Sequence, residues 1–586
     1  GGPYFQDNKH PDPAQPGSPA AALNGGDGII DEYDTPAADG AMGFVLRNLD
    51  FALALFKPVN TTADKSSYYA ISATGGAEVV GIDSITIRAD VLGVEINGGK
   101  DNAGVAQALD LKSSPSFAAT QGVVVQTGID PDGVGDLVAP SITLGSTGNV
   151  LKAFGKVTLA IDNFVYVSGA FEFVKSADPL TVVLSNGTSK RVNVLTVGAG
   201  AVNAFVGTGN PDSNSDGLFD SHDNPAANGA IGLSITNLEF GLALFKPIAT
   251  ADTSSYYALQ ARAKQIGLVG VPGVILHADN LEVAINGASA PSTGGSTQTG
   301  PPAPVINFVS SFGSTGFKVG TGKDNTGTDN PPVFLKMTGR TIAASGDVTI
   351  GLDFDTDGVE EITLSSFISF EQSFRPNGSS VIKIALTNLS FVLGDPADPI
   401  FRIGGDAANP IKGYFLITQQ GMAARIDLPN YSTTISGSGA SLSISGSLAI
   451  EINTTNAAVD ETFVTGADAI TGERVTERIE MQKGPFLRLS GSLFLGVTFA
   501  DSAVSAPFIL AGNFAFEQLT LIDPNPGDNI PAPKAVRIAA SDVRVEVLGV
   551  KLSNGQGGFI FAPEGIAGNL RVTVDAGSAD PGVPTL

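Results

Sequence analysis

Cysteine and tryptophan are absent from this sequence, and histidine occurs only three times among its 586 residues. The lack of cysteine excludes disulfide bonds, thiolate metal sites and cysteine nucleophiles. No apolar run reaches the roughly 18 residues of a membrane-spanning helix, so the sequence predicts no membrane span. The histidines lie far apart, and no Ser/His/Asp arrangement of a hydrolase stands out. We therefore expect a protein that is not an enzyme.

Basic residues are also scarce. Lys and Arg number 33 against 58 Asp and Glu, which gives a formal net charge of −25 at pH 7. A surface of this sign repels the phosphates of nucleic acid and of anionic membranes, and it tolerates divalent cations. The charge balance therefore predicts no nucleic-acid partner.

The abundant residues are those of strands and tight turns. Gly occurs 72 times, and apolar residues make up 42% of the chain, too many for a disordered protein. Leu238, Phe240, Leu242 and Leu244 recur with a period of two, which is typical of a strand. Many segments are apolar on both faces, which predicts that both faces are covered. Asn-Gly pairs at 97–98, 186–187, 286–287 and 554–555 predict turns between strands.

The chain also repeats itself. Residues 47–70 read RNLDFALALFKPVNTTADKSSYYA and match residues 236–258, TNLEFGLALFKPIATADTSSYYA. Both copies continue into an Ile-Asn-Gly segment, at 96–98 and at 285–287. Two weaker copies follow, with a period of roughly 150 to 190 residues, which indicates a tandem array. The equivalent positions of the four copies are Asn48, Asn237, Asn388 and Asp542.

These patterns predict an all-β fold of elongated tandem repeats. We expect long, mostly antiparallel strands stacked in β-sandwich-like layers, with a β-solenoid as the alternative. Strands of about ten residues favour the layers, because solenoid rungs are usually shorter. The predicted domains are the end of a preceding repeat with a calcium-like loop at 1–40, repeat units at 41–208, 209–360 and 361–516, and the start of a fourth at 517–586. Because the chain begins and ends within a repeat, we expect it to be a slice of a longer array.

One acidic loop has the spacing of a calcium site. Residues 212–223 read DSNSDGLFDSHD, with oxygen-bearing residues at the ligand positions of the twelve-residue calcium loop and Gly217 at the sharp turn. Ca²⁺ takes six to eight oxygen ligands, so the pattern predicts calcium as a cofactor. An acidic turn facing water is the alternative. The predicted ligands are Asp212, Asn214, Asp216, Asp220 and Asp223, with the carbonyl of Leu218.

Two weaker acidic loops resemble this one in spacing. The first repeat keeps Asn24, Asp27, Asp31 and Asp34, but Leu23 stands where the first ligand should be. Later in the chain, Asp353, Asp355, Asp357 and Glu361 form a compact DxDxDG pattern, for which an Asp-Gly hairpin turn is an equal alternative.

Three segments resemble repeats of giant secreted bacterial surface or adhesin-like proteins, which also carry haemolysin-type calcium repeats or LEPR-XLL leaders. They are NAFVGTGNPDSNSDGLFD at 203–220, the FALALFKP and GLALFKP segments, and the SSYYA segment with its ADxLxVxING continuation. The resemblance covers residues 1–290 well and the rest loosely. It implies a secreted or cell-surface, calcium-rich, long β protein without a defined activity.

The function expected from these features is structural. We predict a long extracellular surface fibre or adhesin stalk that pairs with itself, end to end or laterally, and that bound calcium stiffens by setting the angle between repeats. A calcium-dependent adhesin that binds surface glycans through its acidic loops is the alternative. A β-helical enzyme acting on polysaccharides is a third, for which no cluster of carboxylates with a basic residue is evident.

Overall fold

The computed structural model describes residues 5–6, 35–36, 43–80, 85–128, 140–289 (without 163, 177, 217 and 221), 303–324, 327–354, 359–375, 379–404 (without 396, 398 and 400), 408–436, 440–467, 474–499, 508–520, 534–547, 550–562 and 565–575. Strands account for 70% of the chain and helices for 3%. The prediction of an all-β fold is confirmed.

The strands are long. Those up to residue 289 are β1 (Phe5–Gln6), β2 (Thr35–Pro36), β3 (Gly43–Phe56), β4 (Ser67–Val80), β5 (Ile85–Lys100), β6 (Val123–Gln126), β7 (Ser141–Leu144), β8 (Val150–Ile161), β9 (Val165–Ser176), β10 (Leu180–Val183), β11 (Ser189–Thr208), β12 (Ile231–Pro247), β13 (Ser255–Val269) and β14 (Val274–Ser289). Two 3-10 turns, Ala118–Thr120 and Pro225–Asn228, lie between them.

The second half continues in the same way. Its strands are β15 (Phe317–Val319), β16 (Val333–Leu335), β17 (Thr341–Leu352), β18 (Ile362–Phe374), β19 (Ser380–Leu393), β20 (Phe401–Gly404), β21 (Ile411–Thr418), β22 (Gly421–Ser436), β23 (Ala440–Asn453), β24 (Val459–Ala467), β25 (Arg474–Met481), β26 (Phe486–Phe499), β27 (Phe508–Thr520), β28 (Lys534–Val547), β29 (Val550–Ala562) and β30 (Gly565–Asp575). One short helix, α1 (Phe308–Phe312), precedes them.

The chain forms two compact units. Unit 1 comprises Gly1–Gly270 and Val283–Thr341, and unit 2 comprises Val271–Glu282 and Ile342–Leu586. In unit 1, strands pair antiparallel in the order β3-β4-β5-β8-β9-β11-β12-β13. In unit 2 the order is β18-β19-β21-β22-β23-β26-β27-β28-β29-β30, again antiparallel. The predicted antiparallel arrangement is therefore correct for these strands, and their pairing in chain order is not that of a solenoid.

Three segments between strands each fold over one face of the sheet of their own unit, and we call them caps. Cap 1 (101–149) carries the hairpin β6-β7, cap 2 (303–340) carries α1 and β15-β16, and cap 3 (454–485) carries β24-β25. Under cap 2, Phe245 of β12 packs against Phe308 and Phe317, with ring centroids 5.9 and 5.6 Å apart. Fully burying one such side chain contributes about 1.5–3 kcal/mol. The clusters of buried apolar residues under the three caps are the main cores of the fold.

The four positions that align the repeats share one backbone feature. Asn48, Asn237, Asn388 and Asp542 all lie within strands and all have positive φ, between 49° and 56°. The ladders shift register beside each of them. Asn and Asp adopt this left-handed conformation more readily than most other residues. The sequence repeat therefore marks a repeated β-bulge.

Most of the predicted Asn-Gly turns are wrong. The pair at 186–187 does lie in the turn between β10 and β11, where Gly187 has φ +84°. The pairs at 97–98, 286–287 and 554–555 lie within β5, β14 and β29. Two of these asparagines, Asn97 and Asn286, are buried, because they hold caps in place, as described below.

Candidate functional site

The acidic loop 212–223 lies between β11 and β12, which pair directly with each other. Its Phe219 is buried and packs edge-on against Phe205 of β11, with ring centroids 6.2 Å apart. The hydroxyl of Ser168, in β9, donates a hydrogen bond to the carbonyl of Phe219. An apolar anchor thus fixes the centre of an otherwise polar loop to the sheet.

The first half of the loop draws three predicted ligands together. The backbone N–H of Asp216 donates to Oδ1 of Asp212 (3.2 Å) and to Oδ1 of Asn214 (3.0 Å). Oδ1 of Asp216 accepts the N–H of Leu218 at 2.9 Å, and the amide of Asn214 donates to its Oδ2 at 3.1 Å. Three side-chain oxygen groups therefore lie around one turn of backbone.

Asp223 closes the loop from its other end. Its carboxylate accepts the N–H of Ser213 at 2.7 Å and the N–H of Asp220 at 2.8 Å. The second and ninth positions of the loop are thus tied to its last predicted ligand. Asp223 therefore holds the loop closed through backbone hydrogen bonds. A carboxylate at this position can alternatively bind a cation.

Asp220 points to a different partner. Its Oδ1 lies 2.9 Å from Nδ1 of His222 and accepts the backbone N–H of His222 at 2.8 Å. Burial opposes ionisation of Asp220, but the hydrogen bonds from the backbone and ring of His222 outweigh it and lower its pKa. Asp220 therefore carries its charge at neutral pH.

The calcium prediction for this loop stays a prediction. The described residues contain no group of three or more His, Cys, Asp or Glu side chains arranged to hold a metal ion. Asp212, Asn214 and Asp216 converge, whereas Asp220 turns to His222 and Asp223 to backbone groups. Gly217, at the predicted sharp turn, lies outside the described residues.

The two weaker loops are only partly described. Asn24, Asp27, Asp31 and Asp34 lie outside the described residues, as do Asp355 and Asp357. Glu361 accepts the N–H of Phe354 at 2.7 Å, and the N–H of Asp353 donates to the carbonyl of Gly273 at 3.0 Å. The first contact bridges the connection between β17 and β18, as a hairpin turn would, and the second ties Asp353 to the connection between β13 and β14.

Three buried asparagines hold the caps, and sequence reasoning read two of them as turns. Nδ2 of Asn97 donates to the carbonyls of Leu109 and Gly148, at 2.8 and 3.1 Å. These two carbonyls lie towards opposite ends of cap 1. The same geometry recurs for Asn286 with Ile306 and Gly339 (2.8 Å each) and for Asn453 with Ala457 and Gln482 (2.9 Å each). We call these residues the cap clamps; the recurring Ile-Asn segment was the available signal.

A cavity of about 360 Å³ opens between the hairpin β15-β16 and the sheet of unit 1. Lys152 and Glu172 form an ion pair at 3.1 Å on its sheet side, and Lys323 and Asp329 form another at 2.8 Å on the cap side. The buried Nδ2 of Asn330 lines it without a hydrogen-bond partner among the described residues. The cavity therefore offers charges of both signs and one amide donor.

No family model matches the chain, and no curated protein shows significant similarity to it. The resemblance to giant secreted bacterial surface proteins thus remains a prediction from the sequence. None of the helices described here has the length and apolar character needed to cross a membrane.

Proposed function

We propose that this chain is a structural, extracellular repeat protein that forms a long surface fibre or stalk. The supporting observation is the pairing of β11 with β12, the strands on either side of the predicted boundary between residues 208 and 209. They pair over 14 residue positions, from Val192–Pro247 to Thr208–Ile231. Consecutive repeats in unit 1 are therefore joined by backbone hydrogen bonds as well as by the chain.

This joint fits a load-bearing role. Antiparallel hydrogen bonds lie perpendicular to the strands and act together, so the connection resists bending better than a flexible linker would. The long β11–β12 ladder also stabilises the joint without disulfide bonds, which the cysteine-free sequence cannot form. Calcium bound at 212–223 would stabilise the loop beside the same joint.

Electron microscopy of the purified chain, with and without calcium, tests the proposal. We expect fibrous particles that lengthen with protein concentration. Compact particles of uniform size under all conditions would contradict a filament, whatever the chain binds.

A glycan-binding adhesin is the second candidate, and the 360 Å³ cavity favours it. Its volume is in the range of small-ligand sites, and sugar hydroxyls could accept the free donor of Asn330 and pair with Lys152 or Asp329. Binding to a glycan array that is saturable and lost in Asn330→Ala, but kept in Asn186→Ala at an exposed turn, would support this candidate. No binding to any glycan would exclude it.

A further inference from the structure

The face of the unit 1 sheet opposite the caps is mostly apolar across its eight strands, with Lys175 and Lys246 among the few basic residues on it. Residues that pair directly lie on the same face of a sheet. From β3 to β8 one such row contains Leu53, Ile71, Ile96 and Leu151. It continues from β9 to β13 through Lys175, Leu195, Leu244 and Tyr257. We call this surface the uncapped face.

The uncapped face differs from what the sequence predicts. Apolar residues on both sides of the strands predict that both faces are covered, and the caps cover only one. Alternate residues show the contrast: Ala243 and Phe245 of β12 are buried under cap 2, whereas Leu244 between them is 39% exposed. The covering of the second face must come from outside the described residues.

The exposed apolar area is large. Six residues of β3, Phe44, Leu46, Leu49, Phe51, Leu53 and Leu55, are each between 42% and 70% exposed. Ten further large apolar residues of this face, from Tyr69 to Tyr257, are each between 37% and 46% exposed. At about 180 Å² for each such side chain, they expose roughly 1,300 Å² together. The largest apolar patch on a typical monomer is about 300–600 Å², and a stable interface needs about 800 Å² from each partner.

Charge selects the same face. The acidic residues that pair in these ladders all lie on the capped side; they are Asp50, Glu78, Glu95, Glu172 and Glu239. With a net charge of −25, two copies of the chain repel each other over most of their surfaces. The uncapped face is a surface on which they can meet without bringing carboxylates together.

Unit 2 has the same feature on its own sheet. A row of directly paired residues on its uncapped side contains Ile426, Ile450, Leu489, Phe516, Ile538 and Phe559. Its cap-facing residues, such as Tyr414 and Ala423, are buried under cap 3. An apolar uncapped side that recurs in both units is a property of the repeat.

We propose that the uncapped face is a docking surface for a second copy of this chain, with the two sheets packed face to face. The inference names the lateral contact of the proposed filament and rests on that proposed function. Sheets pack in this way about 10 Å apart, with alternate side chains interdigitating, which suits an apolar face of Leu, Ile, Val and Phe. The contact is self-complementary, because each copy presents the same surface, on which the ladders place apolar and a few basic side chains but no paired carboxylate.

Sedimentation velocity of the full chain tests the contact. We expect the native chain to associate to at least twice its 59.6 kDa mass and Leu151→Glu with Leu244→Glu to sediment as a monomer. The matched control is Val124→Glu: Val124 is 45% exposed on the hairpin of cap 1, off the uncapped face, and its substitution should leave association intact. Circular dichroism and melting confirm that each variant is folded.

The absence of cysteine allows the face to be located directly. A nitroxide on Leu151→Cys should become shielded from a soluble relaxation reagent as the native chain associates, while one on Val124→Cys stays accessible. A native chain that remains monomeric, or labels that stay equally accessible, overturns the inference. Shielding of Leu151→Cys only on added lipid vesicles or polysaccharide assigns the face to those occupants and overturns it too.

The two proposals fail separately. Filaments of unchanged width in the Leu151→Glu, Leu244→Glu variant would overturn face-to-face packing and leave the filament in place. Face-to-face dimers without filaments would refute the fibre and support the docking surface.

Discussion

At the scale of single residues, the Ile-Asn-Gly segment combines two contacts on opposite faces of the sheet. Asn286 reaches under cap 2, and Gly287 lies beneath the ring of Tyr257 on the uncapped face. A Cβ added at Gly287 would lie 2.2 Å from Cζ of Tyr257, so the tyrosine ring would have to move to admit a side chain. The two tyrosines that precede this segment in β13 pack on the strands: Tyr256 is buried in the core of cap 2, and Tyr257 covers Gly287.

Removing one cap clamp should destabilise unit 1 strongly. In Asn286→Ala the carbonyls of Ile306 and Gly339 lose their donor in a buried place, which costs about 2–4 kcal/mol of unfolding free energy. Urea unfolding followed by circular dichroism measures the change. The matched control is Asn186→Ala, in the exposed Asn-Gly turn, for which we expect a loss below about 1 kcal/mol. Equal losses in the two variants would contradict the clamp.

The ion pair of Lys190 and Asp252 should make stability depend on pH in acid. The hydrogen bond from Lys190, helped by Ser254, lowers the pKa of Asp252 from 3.8 to about 2. The unfolded chain therefore takes up this proton first, so the contribution is complete above pH 3.8 and is lost as the pH falls through about 2. Between pH 4 and pH 2 we expect the native chain to lose about 1–2 kcal/mol more than Asp252→Asn does. Parallel curves of unfolding free energy against pH would show that the pair contributes nothing.

At the scale of elements, the loop 212–223 combines an apolar anchor with several acidic side chains. Phe219 and Ser168 fix the loop, and Asp212 and Asp216 meet around one turn of backbone, while Asp223 closes the loop from its other end. Several carboxylates held close together repel one another, and a bound cation would relieve that repulsion. The sequence pattern predicts calcium here, and its effect on stability can be measured.

Calcium should raise the melting temperature through this loop. At a hundredfold excess over Kd, a ligand of the native state stabilises it by about 2.7 kcal/mol, and chelation should remove that gain. Asp216→Ala should abolish the calcium-dependent part of the shift. Asp101→Ala, which removes a similar turn in which Oδ1 accepts the N–H groups of Ala103 and Val105, should keep it. A native chain that shows no heat of calcium binding at millimolar concentration would make the loop an acidic turn only.

At the scale of the whole molecule, the joint between the first two repeats is a strand ladder. The sequence predicted that calcium would set the angle at this joint. In the structure, β11 and β12 pair beside the loop over 14 positions, so the loop is the connection of a hairpin and the ladder holds the joint. We infer that the ladder keeps this joint stiff with or without the ion, while the calcium-set angle stays a prediction.

Chelation should consequently lower stability without making the chain more flexible. We expect the persistence length of single particles, measured by atomic force microscopy on a surface, to be the same with calcium and with chelator. A double proline substitution in β12, Leu242→Pro with Leu244→Pro, removes two ladder donors and should shorten it. A large drop on chelation alone would restore the hinge that the sequence predicted.

Local patterns in the sequence were sufficient for the strands and for the repeat. Period-two alternation identifies strands because side chains alternate between faces whatever the distant partners are. The equivalence of Asn48, Asn237, Asn388 and Asp542 was visible because each repeat needs a residue that tolerates positive φ at the same bulge.

Only the tertiary structure decided what each face of a strand touches. Asn97 and Asn286 look like turn residues in sequence, because an Asn-Gly pair reads the same whether it lies in a turn or in a strand. What buries them is their hydrogen bonds to carbonyls up to 53 residues away. Alternating apolar residues reveal two apolar faces but not which of them the chain itself covers. That choice follows from the path of the caps, which is fixed by contacts distant in sequence, and it left the uncapped face exposed.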